Sequence, residues 1–311
     1  MKNIFFLFIL IAFISCKKNK ELPPIDDKVD LDGTTINDSS LLFPEKYLLS
    51  AAIPNPTSID LEKPVVIAAH GFTATCFEWL EFSEFATAKG DFYVSRVLLG
   101  AHGRDYKDFK TANWEEWQRP IVEEYNKLQS MGYKNISLAG ASTGCPLILN
   151  MIRENKINTS SLKHVFFVDP IILPSAKILS ISPLIGPAIG YIEVELDPGE
   201  NGYWYKYRPQ HPLRELEKLI RGERKKLERG ITLPNGTTMM VFKSERDNAA
   251  DPAGAVLLKK GIKKSDGGKI DVKMIDTDIH VFTRLRGRKN YDAANNKQQL
   301  EAFETIYTTI K

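Results

Sequence analysis

Apolar and polar positions alternate along this chain in blocks. Residues 64–69, Pro-Val-Val-Ile-Ala-Ala, form a continuous β-branched run of the kind that reads as a strand buried on both faces. Similar runs follow at 92–99, at the stretch ending in Gly140, at 164–168 and at 237–244. Residues 269–275 instead alternate polar and apolar, as an outer strand does. Between the runs lie segments with helical spacing. Residues 75–89 carry Phe77, Leu80, Phe82, Phe85 and Ala86 and close at Gly90. Residues 113–131 form another, with Pro120 near the middle predicting a kink or a break. A helix follows Gly144, and a last one spans 295–310. Strand and helix in this alternation predict an α/β protein with a mostly parallel, doubly wound sheet. Residues 171–236 fit no sheet strand: they start apolar, pass through Tyr203-Trp204-Tyr205-Lys206-Tyr207 and end in a charged helix, 213–230.

The third run ends in Gly140-Ala141-Ser142-Thr143-Gly144. Strand, Gly-x-Ser-x-Gly and helix in succession are the layout of a nucleophile elbow. The small flanking residues let strand and helix approach, and the turn lifts Ser142 Oγ clear of the backbone. The helix start sets backbone N–H groups where an oxyanion would develop. The first run ends in His70-Gly71-Phe72-Thr73, a loop that supplies a second such donor. By position the two donors are the N–H groups of Phe72 and Thr143, and the side chain of His70 braces the loop.

Composition narrows the options. The chain has 311 residues, enough for one large α/β domain with an insertion. A net charge of +3 without a basic, aromatic-interleaved stripe argues against nucleic acid as the partner. Cys16, Cys76 and Cys145 have neither zinc spacing nor the numbers for a disulfide framework, so Cys76 and Cys145 read as buried free thiols. At the N-terminus a short positive start precedes an apolar run, 4–14, of signal-peptide length. Phe13-Ile14-Ser15-Cys16 resembles a bacterial lipobox, with Phe13 where Leu is more usual. That resemblance implies a signal peptide over 1–15, cleavage before Cys16, lipidation of Cys16 and anchoring to a membrane of the cell envelope. Residues 16–45 are polar and read as a flexible tether, leaving 46–311 as the catalytic domain.

Taken together, His70-Gly71-Phe72-Thr73 with Trp79, Leu99-Gly100-x-His102-Gly103, Trp114-x-x-Trp117 and Gly140-Ala141-Ser142-Thr143-Gly144 resemble the α/β-hydrolase fold family, in its carboxylesterase and monoacylglycerol-lipase-like branch. The resemblance runs over roughly residues 60–310. Cys145 departs from it, since a second glycine is usual there. It implies that the insertion at about 171–236 caps the active site, with the aromatic cluster either lining an acyl pocket or fastening the cap to the body. It also implies a catalytic Asp just past the fifth run, and Asp247, with Ala250 and Pro252 at the expected spacing, fits. Asp169, one strand earlier, is the competing acid, and Asp251 reads as a helix cap. His280, in Ile279-His280-Val281-Phe282 after the last run, fits the catalytic histidine. Asp276 and Asp278 flank it, and a carboxylate near an imidazole favours its charged form.

These residues imply a Ser142–His280–Asp247 triad that cleaves a small or medium acyl ester through an acyl-enzyme, with a monoacylglycerol as one candidate and no metal or organic cofactor. The same triad also serves amidases, peptidases and acyltransferases. A non-catalytic ligand-binding lipoprotein is the rival of another class.

Overall fold

The computed structural model describes residues 55–103, 106–175, 191–200 and 203–311. The lipobox, the tether and most of the apolar start of the insertion lie outside the described residues.

In chain order the elements are α1 (Ser58–Glu62), β1 (Val65–Ala69), a 3-10 turn (Cys76–Trp79), α2 (Leu80–Lys89), β2 (Tyr93–Val97), α3 (Tyr106–Thr111), α4 (Trp114–Ser130), β3 (Ile136–Ala141), α5 (Gly144–Arg153) and β4 (Leu162–Val168). There follow β5 (Tyr191–Glu193), β6 (Tyr207–Pro209), α6 (Gln210–Arg229), β7 (Ile231–Thr232), β8 (Thr238–Ser244), α7 (Ala253–Gly261), β9 (Ile262–Lys263), β10 (Asp271–Ile275) and α8 (Ala293–Ile310). The six runs read from the sequence form one parallel sheet, in the order β10-β8-β4-β3-β1-β2. Central β1 and β3 are buried throughout, while β10, at the edge, is largely exposed. From β1 the chain moves to β2 on one side, and from β2 it crosses back to β3 on the other. The carboxyl ends of β1 and β3 therefore flank the switch point, where a sheet of this kind leaves a crevice.

The two-residue period of each strand sorts its side chains between two cores. Val65, Ile67, Leu138, Val165 and Val241 pack with Trp117, Ile121 and Leu128 of α4, Ile148 and Ile152 of α5 and Leu258 of α7. Val66, Ala68, Ala139, Phe166 and Phe242 pack on the other face with Phe82 of α2 and Phe303 and Ile306 of α8. Both faces are covered, as an all-parallel sheet requires.

Pro120 does not end its helix, and α4 runs through it. Proline removes one N–H and leaves the carbonyl four residues earlier, that of Glu116, without its helical donor. At this point Gly100 packs directly on the helix and donates its N–H to the next carbonyl, Trp117 O, at 3.3 Å. A Cβ on Gly100 would lie 2.0 Å from Glu116 O, so glycine is required there.

Within the insertion, β5 and β6 form an antiparallel pair and α6 packs Leu216, Leu219 and Ile220 into the first core. The aromatic cluster divides its work. Tyr203 stacks on Phe77 at 4.1 Å and Tyr205 on Phe109 at 4.4 Å. The Tyr205 N–H also donates to Thr73 O at 3.0 Å and its hydroxyl to Ala101 O at 3.3 Å. These two fasten the insertion to the body, whereas Trp204 faces the cavity described below. No helix among the described residues is long and apolar enough to cross a membrane.

Burial of α4 traps one acid. Glu124 Oε1 accepts from Ser95 Oγ at 2.6 Å, while its Oε2 is buried without a partner. Burial raises its pKa from 4.5 to about 7, against the smaller opposing effects of Ser95 and Lys127. The folded state thus holds a proton that the unfolded chain releases, and stability falls as pH rises through that window. Glu124→Gln should remove this pH dependence, with a gain of the order of 1–3 kcal/mol at pH 8 and little change at pH 4.5, read from urea denaturation at the two pH values. An equal effect at both would refute the assignment.

Candidate active site

The turn after β3 is built around two tight contacts. A Cβ on Gly140 would come within 2.8 Å of Cys145 N, and one on Gly144 within 2.4 Å of Ala69 O. Ser142 itself has φ +48°, in the left-handed region that costs a non-glycine residue about 1 kcal/mol. Its backbone is held there: Ser142 N–H donates to Val168 O at 3.0 Å, and its carbonyl accepts from Cys145 N–H at 3.2 Å and Ile171 N–H at 3.3 Å. Cys145 is accommodated, with its thiol directed at Gly140 O at 3.1 Å. Cys76 and Cys145 are both buried, and neither forms a disulfide.

Ser142, His280 and Asp247 come together at the carboxyl ends of β3, β8 and β10. Ser142 Oγ lies 2.9 Å from His280 Nε2, and His280 Nδ1 lies 2.8 Å from Asp247 Oδ2. His280 keeps a quarter of its side chain exposed, while the Asp247 carboxylate is fully enclosed. Asp247 Oδ1 accepts from Ala249 N–H at 2.7 Å and Ala250 N–H at 3.0 Å. Burial pushes its pKa upward, but His280 and then Lys243 outweigh that and hold it well below the usual carboxylate range.

Asp169, the competing acid, makes no hydrogen bond to the imidazole among the described residues. Its Oδ1 accepts from Ser244 N–H at 2.7 Å and Lys243 Nζ at 3.0 Å. Its Oδ2 accepts from Ser244 Oγ at 3.0 Å, Val281 N–H at 2.8 Å and Phe282 N–H at 3.3 Å. It therefore clamps the backbone just after His280. Lys243, which the sequence reading passed over, is fully buried and bonds Asp247 Oδ2 as well as Asp169. The signal was present: a lysine in an otherwise apolar strand, four residues before Asp247. Donor atoms of Asp169, Asp247 and His280 fall within 4.8 Å of one another, but the Lys243 ammonium is the cation that serves both carboxylates.

The loop after β1 approaches the serine closely, since a Cβ on Gly71 would meet Ser142 Cβ at 3.1 Å. Gly71 N–H is taken by Glu78 Oε2 at 2.6 Å. The N–H groups of Phe72 and Thr143 make no hydrogen bond among the described residues, which leaves both available beside Ser142. His70 braces the loop, with Nδ1 2.8 Å from Gly71 O and Nε2 accepting from Leu99 N–H at 3.0 Å. Burial, with a smaller contribution from His102, drives its pKa well down. Asp251 accepts from Ala253 N–H at 2.8 Å at the start of α7, a capping role. Asp276 pairs with Arg246, and both Asp276 and Asp278 are solvent-exposed and make no bond to the imidazole.

A cavity of about 180 Å³ opens over Ser142 and His280. Its walls combine Ile171, Leu213 and Leu216 with Glu78, Trp204 and three arginines, Arg208, Arg284 and Arg288. A larger groove, about 770 Å³, runs between the loop after β2 and α4 and contains neither residue.

No protein-family model matches the sequence, and no curated protein matches it. Solved structures do. One of the metagenome-derived lipolytic enzymes LipS and LipT superposes with a TM-score of 0.63 at 16% identity, over 80% of this chain and 93% of that one. A soluble variant of monoglyceride lipase from Saccharomyces cerevisiae, in complex with a substrate analog, gives 0.62 at 12%, over 82% and 89%. The monoacylglycerol lipase of Paleococcus ferrophilus gives 0.59 at 14%, over 79% and 96%. The likeness is one of architecture: this chain has the α/β-hydrolase fold.

Removing one member of a buried charge cluster leaves the others uncompensated. Lys243→Met should therefore cost about 3–5 kcal/mol of stability, and adding Asp169→Asn should return at least about 1 kcal/mol of it, measured by chemical denaturation. A neutral Lys243→Met would show that the ammonium does not support the two carboxylates.

Proposed function

We propose that the protein is a serine carboxylic-ester hydrolase in which Ser142, His280 and Asp247 act as a triad. The observation that carries this reading is the unbroken hydrogen-bonded relay from Ser142 Oγ through both nitrogens of His280 to Asp247. In it, Ser142 Oγ attacks the ester carbonyl while His280 Nε2 takes the hydroxyl proton. Asp247 fixes the tautomer and carries the opposite charge to the imidazolium that forms. The N–H groups of Phe72 and Thr143 receive the oxyanion. His280 then passes its proton to the leaving alcohol, and water, deprotonated by the same imidazole, releases the acid from the acyl-enzyme. The fold shared with lipolytic enzymes and monoglyceride lipases supports an ester as the substrate. The size of the cavity favours a small or medium acyl group, with a monoacylglycerol among the candidates.

On the same footing, residues 1–15 are a lipoprotein signal peptide, 16–45 a tether and Cys16 the lipidated residue of an enzyme held at a membrane of the bacterial envelope. The insertion at about 171–236 serves as a cap.

Hydrolysis of p-nitrophenyl esters from acetate to a long acyl chain tests the chemistry. Ser142→Ala should lower kcat by about 10⁴-fold or more with the fold intact by circular dichroism, and the rate should peak at short or medium chains. Retained activity in the variant would remove Ser142 from the mechanism. Lipidation is tested separately. Cells producing the full chain should label it with radioactive palmitate and retain it in the membrane fraction, and Cys16→Ser should abolish both. Label that persists in Cys16→Ser would place the anchor elsewhere.

A further inference from the structure

The cavity over Ser142 is not built for a plain hydrocarbon. Arg208 comes from β6, and Arg284 and Arg288 from the segment after His280. Two of the three are committed to the structure. Arg284 is almost fully buried, pairs with Glu200 at 2.5 Å, donates to Arg286 O at 3.1 Å and stacks on Trp204 with 4.5 Å from its Cζ to the ring centre. Arg288 donates from Nε to Arg284 O at 2.8 Å and from Nη2 to the carbonyl of His280. Arg208 is different. Its side chain makes no hydrogen bond or ion pair among the described residues, Glu200 acts on it only through its charge, and its Nε is buried without an acceptor. Arg284 Nε is likewise buried and unpaired. Unpaired buried guanidinium N–H groups are costly, and an acceptor carried by a ligand removes that cost.

The cavity wall carries three guanidinium groups and the carboxyl groups of Glu78, Glu195 and Glu200. Glu200 is paired with Arg284, and Glu195 lies 3.7 Å from Lys289 at the rim, so neither is bonded to Arg208. A planar two-oxygen group matches the guanidinium fork.

We propose that the cavity selects esters bearing a free carboxylate on the part that fills it, with Arg208 as the residue that binds that carboxylate. The inference rests on Ser142 as the ester-cleaving nucleophile and adds the substrate class. A fully alkyl acyl chain would offer the Arg208 guanidinium no acceptor.

The test uses matched esters on the full chain: methyl pentanoate against monomethyl glutarate for the acyl side, and butyl acetate against 4-acetoxybutanoate for the alcohol side, followed in a pH-stat. In one of the pairs the carboxylated ester should have at least a tenfold higher kcat/KM, mainly through KM. Arg208→Gln should reduce that preference ratio at least tenfold, Arg208→Lys should reduce it less, and Lys297→Gln, a charge removed from the exposed face of α8, should leave it in place. Neutral esters cleaved as well as carboxylated ones would overturn the inference and leave the ester-hydrolase reading standing. If no ester is cleaved, that reading fails, and calorimetry with glutarate on Ser142→Ala decides the inference alone. Saturable one-to-one binding, weakened at least tenfold by Arg208→Gln, supports it, and no binding overturns it. Inorganic phosphate binding more tightly than glutarate would overturn the choice of a carboxylate.

Discussion

A buried ammonium between two carboxylates holds the carboxyl edge of this sheet together. Lys243 ties Asp169, at the end of β4, to Asp247, just past β8. Asp169 in turn takes the N–H groups of Val281 and Phe282, so the loop carrying His280 is fixed to β4 through side-chain bonds. Val281 sits at φ +54° and Asp169 at φ +45°, both in the left-handed region. Non-glycine residues persist there when surrounding bonds over-determine them, and here the donors around Asp169 do so. A charge cluster with no exposed side chain is a poor source of stability compared with an apolar core. What it supplies is direction, since each carboxylate oxygen has a defined donor and little freedom to turn.

The fold was legible because the strands are of two readable kinds. Five continuous apolar runs became strands covered on both faces, and the alternating run at 269–275 became the exposed edge strand β10. Periodicity could not show how Pro120 is tolerated. That depends on Gly100, twenty residues earlier, packing against the helix where the proline has broken the hydrogen-bond ladder. The contact is tertiary and leaves no local mark. The aromatic cluster of the insertion was similarly open from sequence: successive positions along one short segment face Phe77, the cavity and Phe109, and residue type does not distinguish them.

For the site, residues at turns of strict geometry were found, and residues that act by charge were not. Ser142 is marked by the glycines that its turn requires, and His70 by the glycine beside it. Lys243, Arg208, Arg284 and Arg288 have no such punctuation. Charged residues are common on surfaces, and only burial, which the structure supplies, separates these from solvated ones. Lys243 was the most accessible of them, because an apolar strand interrupted by a single lysine leaves a buried charge to be explained.

The surroundings of Asp247 limit what it does in the proposed mechanism. Its Oδ2 is shared by His280 Nδ1 and Lys243 Nζ, and its Oδ1 is taken by two backbone N–H groups. Burial pushes its pKa upward, but His280 and Lys243 outweigh that and hold it well below the usual range. Such a group is a poor proton acceptor, so the proton taken from Ser142 stays on the imidazole. Asp247 then acts by orientation and by field. The ammonium of Lys243, on the same oxygen, weakens that field while keeping the oxygen in place. Asp169 offsets part of the loss, because its charge faces Lys243 from the other side. The buried cluster therefore sets both the position of the imidazole and the electrostatic environment in which it becomes charged.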